Sequence, residues 1–489
     1  MPLILPGNVA TATAPTTYQV ANSCRFNDGD SAYLTRDLGT STAGSGKKFT
    51  FSAWVKRGIL GTDQYLFSSK VSTHQADLCF KDDDTLRFRL IYGGTVYGNL
   101  RTNAKYRDVS AWYHIVVNMD TTQSTDTNRT KMYVNGSQVT SFSTSTRPNQ
   151  DSTFTVNNNT VNNQDHSFGR NEDGPGDYFD GYMAEVVLID GTAYAASDFG
   201  EYDEDTPQIW IPKDVSGLTF GTHGVYLDFE DSGDLDDDES GNGNDFTATN
   251  LAAADQATDS CTNNFATMNY LDNYYASSTF SEGNCTIVQA SSTYAHNSST
   301  IAVTAGKWYV EAKLTTDSEH ALVGITDTPP LGTWTKILGS AAHDYSIKQA
   351  NGDLFNNRGD DPANDATTYA AAFAQNDIIG IALDCDNNKL YFSKGGAWSD
   401  GSGSWDSTTF DAAVGAITIT APASTDNGHY FFASGDYGSA SCTWEWNFGG
   451  CQPFSISSGN TDGKYGNFEY AVPSGFLALC TKNLGSDGG

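Results

Sequence analysis

Apolar residues in this chain recur at every second position, a period that suits half-buried strands and not amphipathic helices. Phe49, Phe51, Ala53 and Val55 share one face of a first segment, Ile115, Val117 and Met119 of a second, Met132 and Val134 of a third. Successive strand side chains point to opposite faces, so each set marks a buried face. Asn135-Gly136 follows the third segment and precedes Gln138-Val-Thr-Ser-Phe142. That order predicts a type I′ hairpin turn, whose two central residues need positive φ. Met183 to Ile189 reads as one continuous apolar strand, broken only by Glu185. Abundant Gly, Tyr and Phe (48, 25 and 26 residues) fit short strands joined by many turns.

The charge balance narrows the partners. With 27 basic and 59 acidic residues the net charge is −32, which repels a phosphate backbone and an anionic lipid surface. No apolar run reaches the length of a membrane span, so no membrane insertion is expected. The opening Met1-Pro-Leu-Ile-Leu-Pro-Gly-Asn8 has neither a basic n-region nor a long apolar h-region. No secretory signal is therefore expected, and synthesis in a cytoplasm is. The eight cysteines form no Cys-x-x-Cys, and buried free thiols are the expectation. Cys442 with Cys451, or Cys261 with Cys285, are the pairs that oxidising conditions could join.

The chain divides into an extended arm over 1–19, rich in proline, a first sandwich over 20–250, a polar linker over 251–280, a second sandwich over 281–455, and a Gly/Ser/Asn-rich connector over 456–489. In the first sandwich, Phe26-Asn-Asp-Gly-Asp-Ser-Ala-Tyr-Leu34, Phe51-Ser-Ala-Trp-Val-Lys56, Trp112-Tyr-His-Ile-Val-Val117, Lys131-Met-Tyr-Val-Asn-Gly136 and Gly181-Tyr-Met-Ala-Glu-Val-Val-Leu188 stand in order. Together they resemble the strands of laminin-G-like, concanavalin A-like jelly rolls. Gly224-Val-Tyr-Leu-Asp-Phe-Glu-Asp231 resembles the strand that usually comes before the opening one. Its late position implies a circularly permuted jelly roll in which this strand returns beside residues 20–35. In the second sandwich, Gly306-Lys-Trp-Tyr-Val-Glu311, Leu322-Val-Gly-Ile-Thr326, Asn376-Asp-Ile-Ile-Gly-Ile-Ala-Leu-Asp384, Lys389-Leu-Tyr-Phe-Ser-Lys-Gly-Gly396 and Trp446-Asn-Phe-Gly449 resemble the SPRY (B30.2-like) series. Asn376 stands where Gly is usual and Gly395 where Asn is usual; both residue types tolerate positive φ. The expected fold class is all-β: two tandem antiparallel β-sandwiches with an N-terminal arm.

Catalytic sets are not found. A glycanase on this fold needs paired carboxylates on one strand face, and Glu185 with Asp190 are spaced to opposite faces. No Gly-x-Ser-x-Gly, His-Glu-x-x-His or phosphate-binding loop occurs. His114, inside a strand, reads as a satisfied core histidine. The laminin-G resemblance implies one Ca²⁺ at the sandwich rim, for which Asp28, Asp30 and Asp180 are candidate ligands; solvated acidic loops are the alternative. Trp334, Trp398 and Trp405, in Gly/Ser/Asp-rich loops, are candidate sugar-stacking residues, with a role as anchors of satellite cores as the alternative.

The tandem sandwiches, acidic charge and arm resemble structural proteins of marine bacteriophage particles. This resemblance implies a non-enzymatic virion protein, a fibre or appendage whose residues 1–19 anchor it to other virion proteins. Its sandwiches would face host-surface glycan or protein, and a homo-oligomer, a trimer for a fibre, is expected. A capsid decoration or cement protein without a host ligand, and a free bacterial lectin, are the competing expectations.

Overall fold

The computed structural model describes residues 18–38, 44–154, 156–157, 165–174, 176–204, 206–273, 278–289, 294–328, 337–357, 367–438, 440–457, 459–460 and 464–487. These are nearly all β, in antiparallel sheets, with one α-helix at Thr481–Asp487. They form two compact units, divided between Thr262 and Asn263. Of the arm, residues 1–17 lie outside the described residues.

The first unit is a sandwich of two eight-stranded sheets. One sheet runs in the order Ser137–Gln138, Thr130–Val134, Trp112–Asp120, Lys48–Arg57, Gly181–Asp190, Ser23–Phe26, Gln256–Ala257. The other runs Phe142–Thr146, Thr95–Lys105, Thr85–Tyr92, His74–Phe80, Gln64–Val71, Asp165–Phe168, Tyr33–Asp37, Thr247–Thr249. Inward residues of both sheets, among them Phe49, Phe51, Phe67, Phe88 and Phe168, fill the space between them. Alternation alone accounts for this layer.

The permuted strand does not go where the sequence places it. Val225–Leu227 pairs with Gly181–Asp190 (Val187 opposite Tyr226) instead of with residues 20–35. The return to that region is made further on, by Thr247–Thr249 beside Tyr33–Thr35 and by Gln256–Ala257 beside Ser23–Cys24. A bulge explains the branch point. Between Ala184 and Val187 the register against Lys48–Arg57 shifts, and Glu185 takes φ +50. Its buried carboxyl accepts hydrogen bonds from the hydroxyls of Tyr226 (3.0 Å) and of Tyr18 (3.2 Å), the last residue but one of the arm.

The stretch 251–280 is divided between the two units. Asp259 is fully buried, bonded by Lys56 Nζ at 2.6 Å and by Trp112 Nε1 at 3.1 Å, and so belongs to the first unit. Phe265, Ala266 and Met268 are buried in the second unit. Polar composition suggested a linker, but Asp259 is polar because it neutralises a buried lysine.

The second unit packs a ten-stranded sheet against a six-stranded one. The first is centred on Lys307–Thr316, between Cys442–Asn447 and Ile378–Asp384; the second is centred on Leu322–Thr326, between Tyr430–Asp436 and Tyr345–Lys348. Trp308, Trp444 and Trp446 are fully buried between them. Residues past 455 complete this unit instead of connecting onward. Leu477–Ala478 pairs in parallel with Trp308–Tyr309. Both carboxylate oxygens of Glu311 accept backbone N–H bonds, from Glu469 and Tyr470, at 2.9 Å each. All eight cysteines are free thiols, seven of them buried.

Two outcomes follow. Asp259→Ala strands the Lys56 ammonium in a buried site, and unfolding free energy measured in urea should fall by about 3–5 kcal/mol. Asp272, fully buried and bonded by the Ser298 amide and hydroxyl, has its carboxyl raised by burial from 3.8 to about 7. The folded chain therefore keeps a proton that the unfolded chain releases, and stability falls as pH rises through that window. Asp272→Asn should flatten this slope when unfolding is compared at pH values on either side of it.

Candidate functional site

In the first unit, the face of the sheet turned away from the core is also buried. Trp54 and His114 sit opposite each other across neighbouring strands, while Ala53, Val55 and Ile115 point inward. His114 forms the centre of an aromatic group. Trp54 stacks on it at 4.7 Å between centroids and 27° between planes. Trp210 lies nearly parallel to it, at 6.0 Å and 24°, and donates its indole N–H to Nδ1 at 3.0 Å. An indole N–H can only donate, so Nδ1 accepts and the ring proton resides on Nε2. From there it is donated to Ser52 Oγ at 2.9 Å. Burial drives the His114 pKa down to about 3, which keeps the ring neutral.

Two glycines make room for Trp210. A Cβ at Gly136 would lie 2.3 Å from its ring, and one at Gly200 would lie 2.6 Å from it. Gly136 (φ +75) and Asn135 (φ +47) form the tip of the hairpin turn, as the Asn-Gly pair requires. Gly200 begins Gly200–Tyr202, which pairs with Trp210–Pro212 as a separate two-stranded ribbon. This ribbon belongs to a segment that covers the sheet's outer face. Ala196, Phe199, Val215, Phe220 and Tyr226 pack there on Val116, Val187 and Ile189 as a second apolar layer.

Two clefts open along the ribbon, and Tyr202 and Trp210 line both. One, of about 420 Å³, is completed by Trp54, Trp112, Asn135, Ser137 and Gln208 among others. The other, of about 320 Å³, is completed by Tyr133, Gly136, Glu201 and Lys213 among others. Tyr202 meets Trp210 edge to face at 5.0 Å and 74°, is 47% exposed, and its hydroxyl lies 3.3 Å from Ser137 Oγ. The single carboxylate in the two linings, Glu201, is 3.5 Å from Lys213 Nζ. Aromatic walls with amide and hydroxyl groups at the rim suit a neutral polyhydroxylated ligand. They do not supply the two carboxyl groups of glycoside hydrolysis.

Of the three tryptophans singled out from sequence, two lie among the described residues. Trp398 is buried against Tyr309 and Phe410 in a satellite core that includes Phe468 and Phe476. Trp405 is partly buried, and its Nε1 donates to the Ala371 carbonyl at 2.9 Å. Trp334 lies outside the described residues. Of the acidic candidates, Asp28 has its carboxyl raised, chiefly by burial, while the Gly29 amide opposes the rise. Asp180 is fully buried, whereas Asp30 accepts a bond from Asn27 Nδ2 at 2.9 Å. Among the described residues one set, Asp327, His343 and Asp426, brings three ligand atoms within 4.8 Å. There the Asp327 carboxylate is already bonded by His343 Nδ1 and the Asp426 amide, each at 3.1 Å. Glu185 and Asp190 serve the fold, the latter accepting the Ser45 amide at 2.7 Å.

Sequence reasoning did not single out Tyr202 or Trp210. The available signal is a tryptophan bracketed by Pro207 and Pro212 in an acidic stretch.

Residues 27–196 match the concanavalin A-like lectin/glucanases superfamily. The match takes in Trp54, Trp112 and Asn135, and ends before Tyr202 and Trp210. No curated protein is significantly similar to the chain. Solved structures that resemble it include the SPRY domain of human HERC1, 14% identical over 35% of this chain and 89% of that one, with a TM-score of 0.24. A heptameric SAP-like pentraxin from Limulus polyphemus is 14% identical over 35% and 78%, with a TM-score of 0.25. A Bacteroides ovatus protein, described as a candidate carbohydrate-binding protein, is 16% identical over 48% and 61%, with a TM-score of 0.29.

Gly200→Ala should expel the Trp210 ring from its slot. Thermal unfolding should register an overpacking cost of about 1–3 kcal/mol, together with a change in the near-ultraviolet tryptophan signal. Gly217→Ala, where a Cβ meets open space, is the silent control.

Proposed function

We propose that this chain is a non-catalytic binding protein that holds a neutral saccharide against Tyr202 and Trp210. The observation that carries this reading is the pair of clefts sharing one aromatic wall, with Asn135, Ser137 and Gln208 exposed at the rim and a single, ion-paired carboxylate. The lectin-type match of the strands beneath supports it. The wall lies outside that match, so its specificity is this chain's own.

The proposed setting is a bacteriophage particle, assembled in the host cytoplasm. Residues 1–19 attach the chain to other virion proteins, and the sandwiches, in a homo-oligomer such as a trimer, face host-surface glycan or protein. Weak single-site contacts would add up through copy number. The support for this setting is the sequence resemblance given above. Absence of the chain from purified particles would overturn it while leaving the saccharide reading open.

The test of the site is a glycan array followed by titration calorimetry. Tyr202→Ala should weaken binding about tenfold or more, equivalent to about 1.4 kcal/mol, while Trp405→Ala should leave it unchanged. Equal binding by Tyr202→Ala and wild type would sink the proposal.

A further inference from the structure

The second sheet of the first unit carries three arginines on the face turned away from the core. Arg87 lies opposite Arg101, and Arg89 lies between Asp77 and Asn99. Residues directly opposite each other share a face, and the alternate positions Leu78, Phe88 and Leu100 fill the core. Like charges placed opposite destabilise a strand pair. The chain has only 11 arginines and a net charge of −32, so this grouping runs against its overall composition.

One buried carboxylate organises the group. Asp77 is fully buried and accepts Arg87 Nη2 at 2.7 Å and Arg89 Nε at 2.8 Å. Arg101 bonds Thr85 Oγ1 at 2.9 Å and forms an exposed pair with Asp83, also at 2.9 Å. Counting these five side chains, the face keeps one net positive charge. Arg89 and Arg101 remain partly exposed, at 23% and 31%. Neither has a protein partner for its Nη1 among the described residues. As diagonal neighbours across a strand pair their Cβ atoms stand about 7–8 Å apart, a span two guanidinium groups can close around one anion. Thr144 and Thr146 continue the two rows on the next strand, opposite Arg101 and Asn99.

We propose that this face binds an acidic sugar, its carboxylate or sulfate held between Arg89 and Arg101 and its hydroxyl groups met by the neighbouring Asn and Thr side chains. Charge complementarity selects the anion. The rows of amide and hydroxyl groups favour a sugar ring over an acidic peptide. The inference rests on the reading that the ligands are saccharides, but it uses a different sheet from the Tyr202 clefts.

The test is calorimetry of the full chain with oligogalacturonate, with its methyl ester, and with a sulfated oligosaccharide beside its desulfated form, at low and high salt. Binding of at least one acidic probe is expected, weakening with salt, with the uncharged counterpart about tenfold weaker or worse. Arg101→Gln, at the more exposed position, should reduce affinity about tenfold with an unchanged melting temperature, and Arg89→Gln should reduce it further. Tyr202→Ala should leave acidic-probe binding intact. Equal binding of charged and uncharged probes overturns the proposal, as does indifference to both arginine substitutions. Binding of neutral glycans alone, at the Tyr202 clefts, overturns this proposal only, whereas loss of all saccharide binding overturns both. A salt-sensitive dimer in sedimentation that Arg101→Gln abolishes would also overturn it, in favour of an acidic loop of a second copy.

Discussion

The strand Lys48–Arg57 is buried on both of its faces, and much of the first unit follows from that. Its inward residues belong to the sandwich core. Its outward residues (Thr50, Ser52, Trp54 and Lys56) include groups that cannot be left in an apolar layer without partners. Each finds one: Thr50 binds the Thr192 carbonyl, Ser52 binds His114, Trp54 stacks on His114 and Lys56 pairs with Asp259. All but His114 of these partners come from segments outside the sheet's central strands. The outer face therefore had to be roofed, and the Tyr202–Trp210 ribbon lies where the roof meets the hairpin turn at Gly136.

This explains how much the sequence reveals. Positions governed by local backbone geometry are legible. The Asn135-Gly136 turn has the positive φ angles its composition requires, and Asn376, standing where glycine is usual, takes φ +72. Glu311 and Asn447, from two separate SPRY-like motifs, meet at 3.4 Å. What is not legible is the identity of the roofing segments, because the apolar residues that pack there, Ala196, Phe199, Val215 and Phe220, are irregularly spaced and carry no period. Asp259 in a polar stretch looks like a solvated loop until Lys56 is placed beneath it. The slot for Trp210 needs glycines at 136 and 200, a coincidence of two distant positions that no local pattern encodes.

The candidate sites show the same division. Loop tryptophans invite a binding role by composition, yet Trp398 is an internal anchor and Trp405 is tied to a carbonyl. An exposed ring that lines both clefts belongs to Tyr202, in a short ribbon with only three residues per strand. A lone aspartate in a strand invites no role by composition, yet the buried Asp77 holds two arginines. In each case the three-dimensional partner, and not the residue type, decides the role.

The parallel pairing of Trp308–Tyr309 with Leu477–Ala478 has a consequence for biogenesis. A central strand of the second unit waits for a neighbour made far later in the chain, Leu477–Ala478, and the Glu311 carboxylate waits for the amides of Glu469 and Tyr470. Contacts of such long sequence separation form slowly and late. The first sandwich can close while the second is still being made, whereas the second must hold an incomplete, partly apolar sheet until residues 469–478 have emerged. That interval is when the nascent chain is most exposed to misassembly with its neighbours.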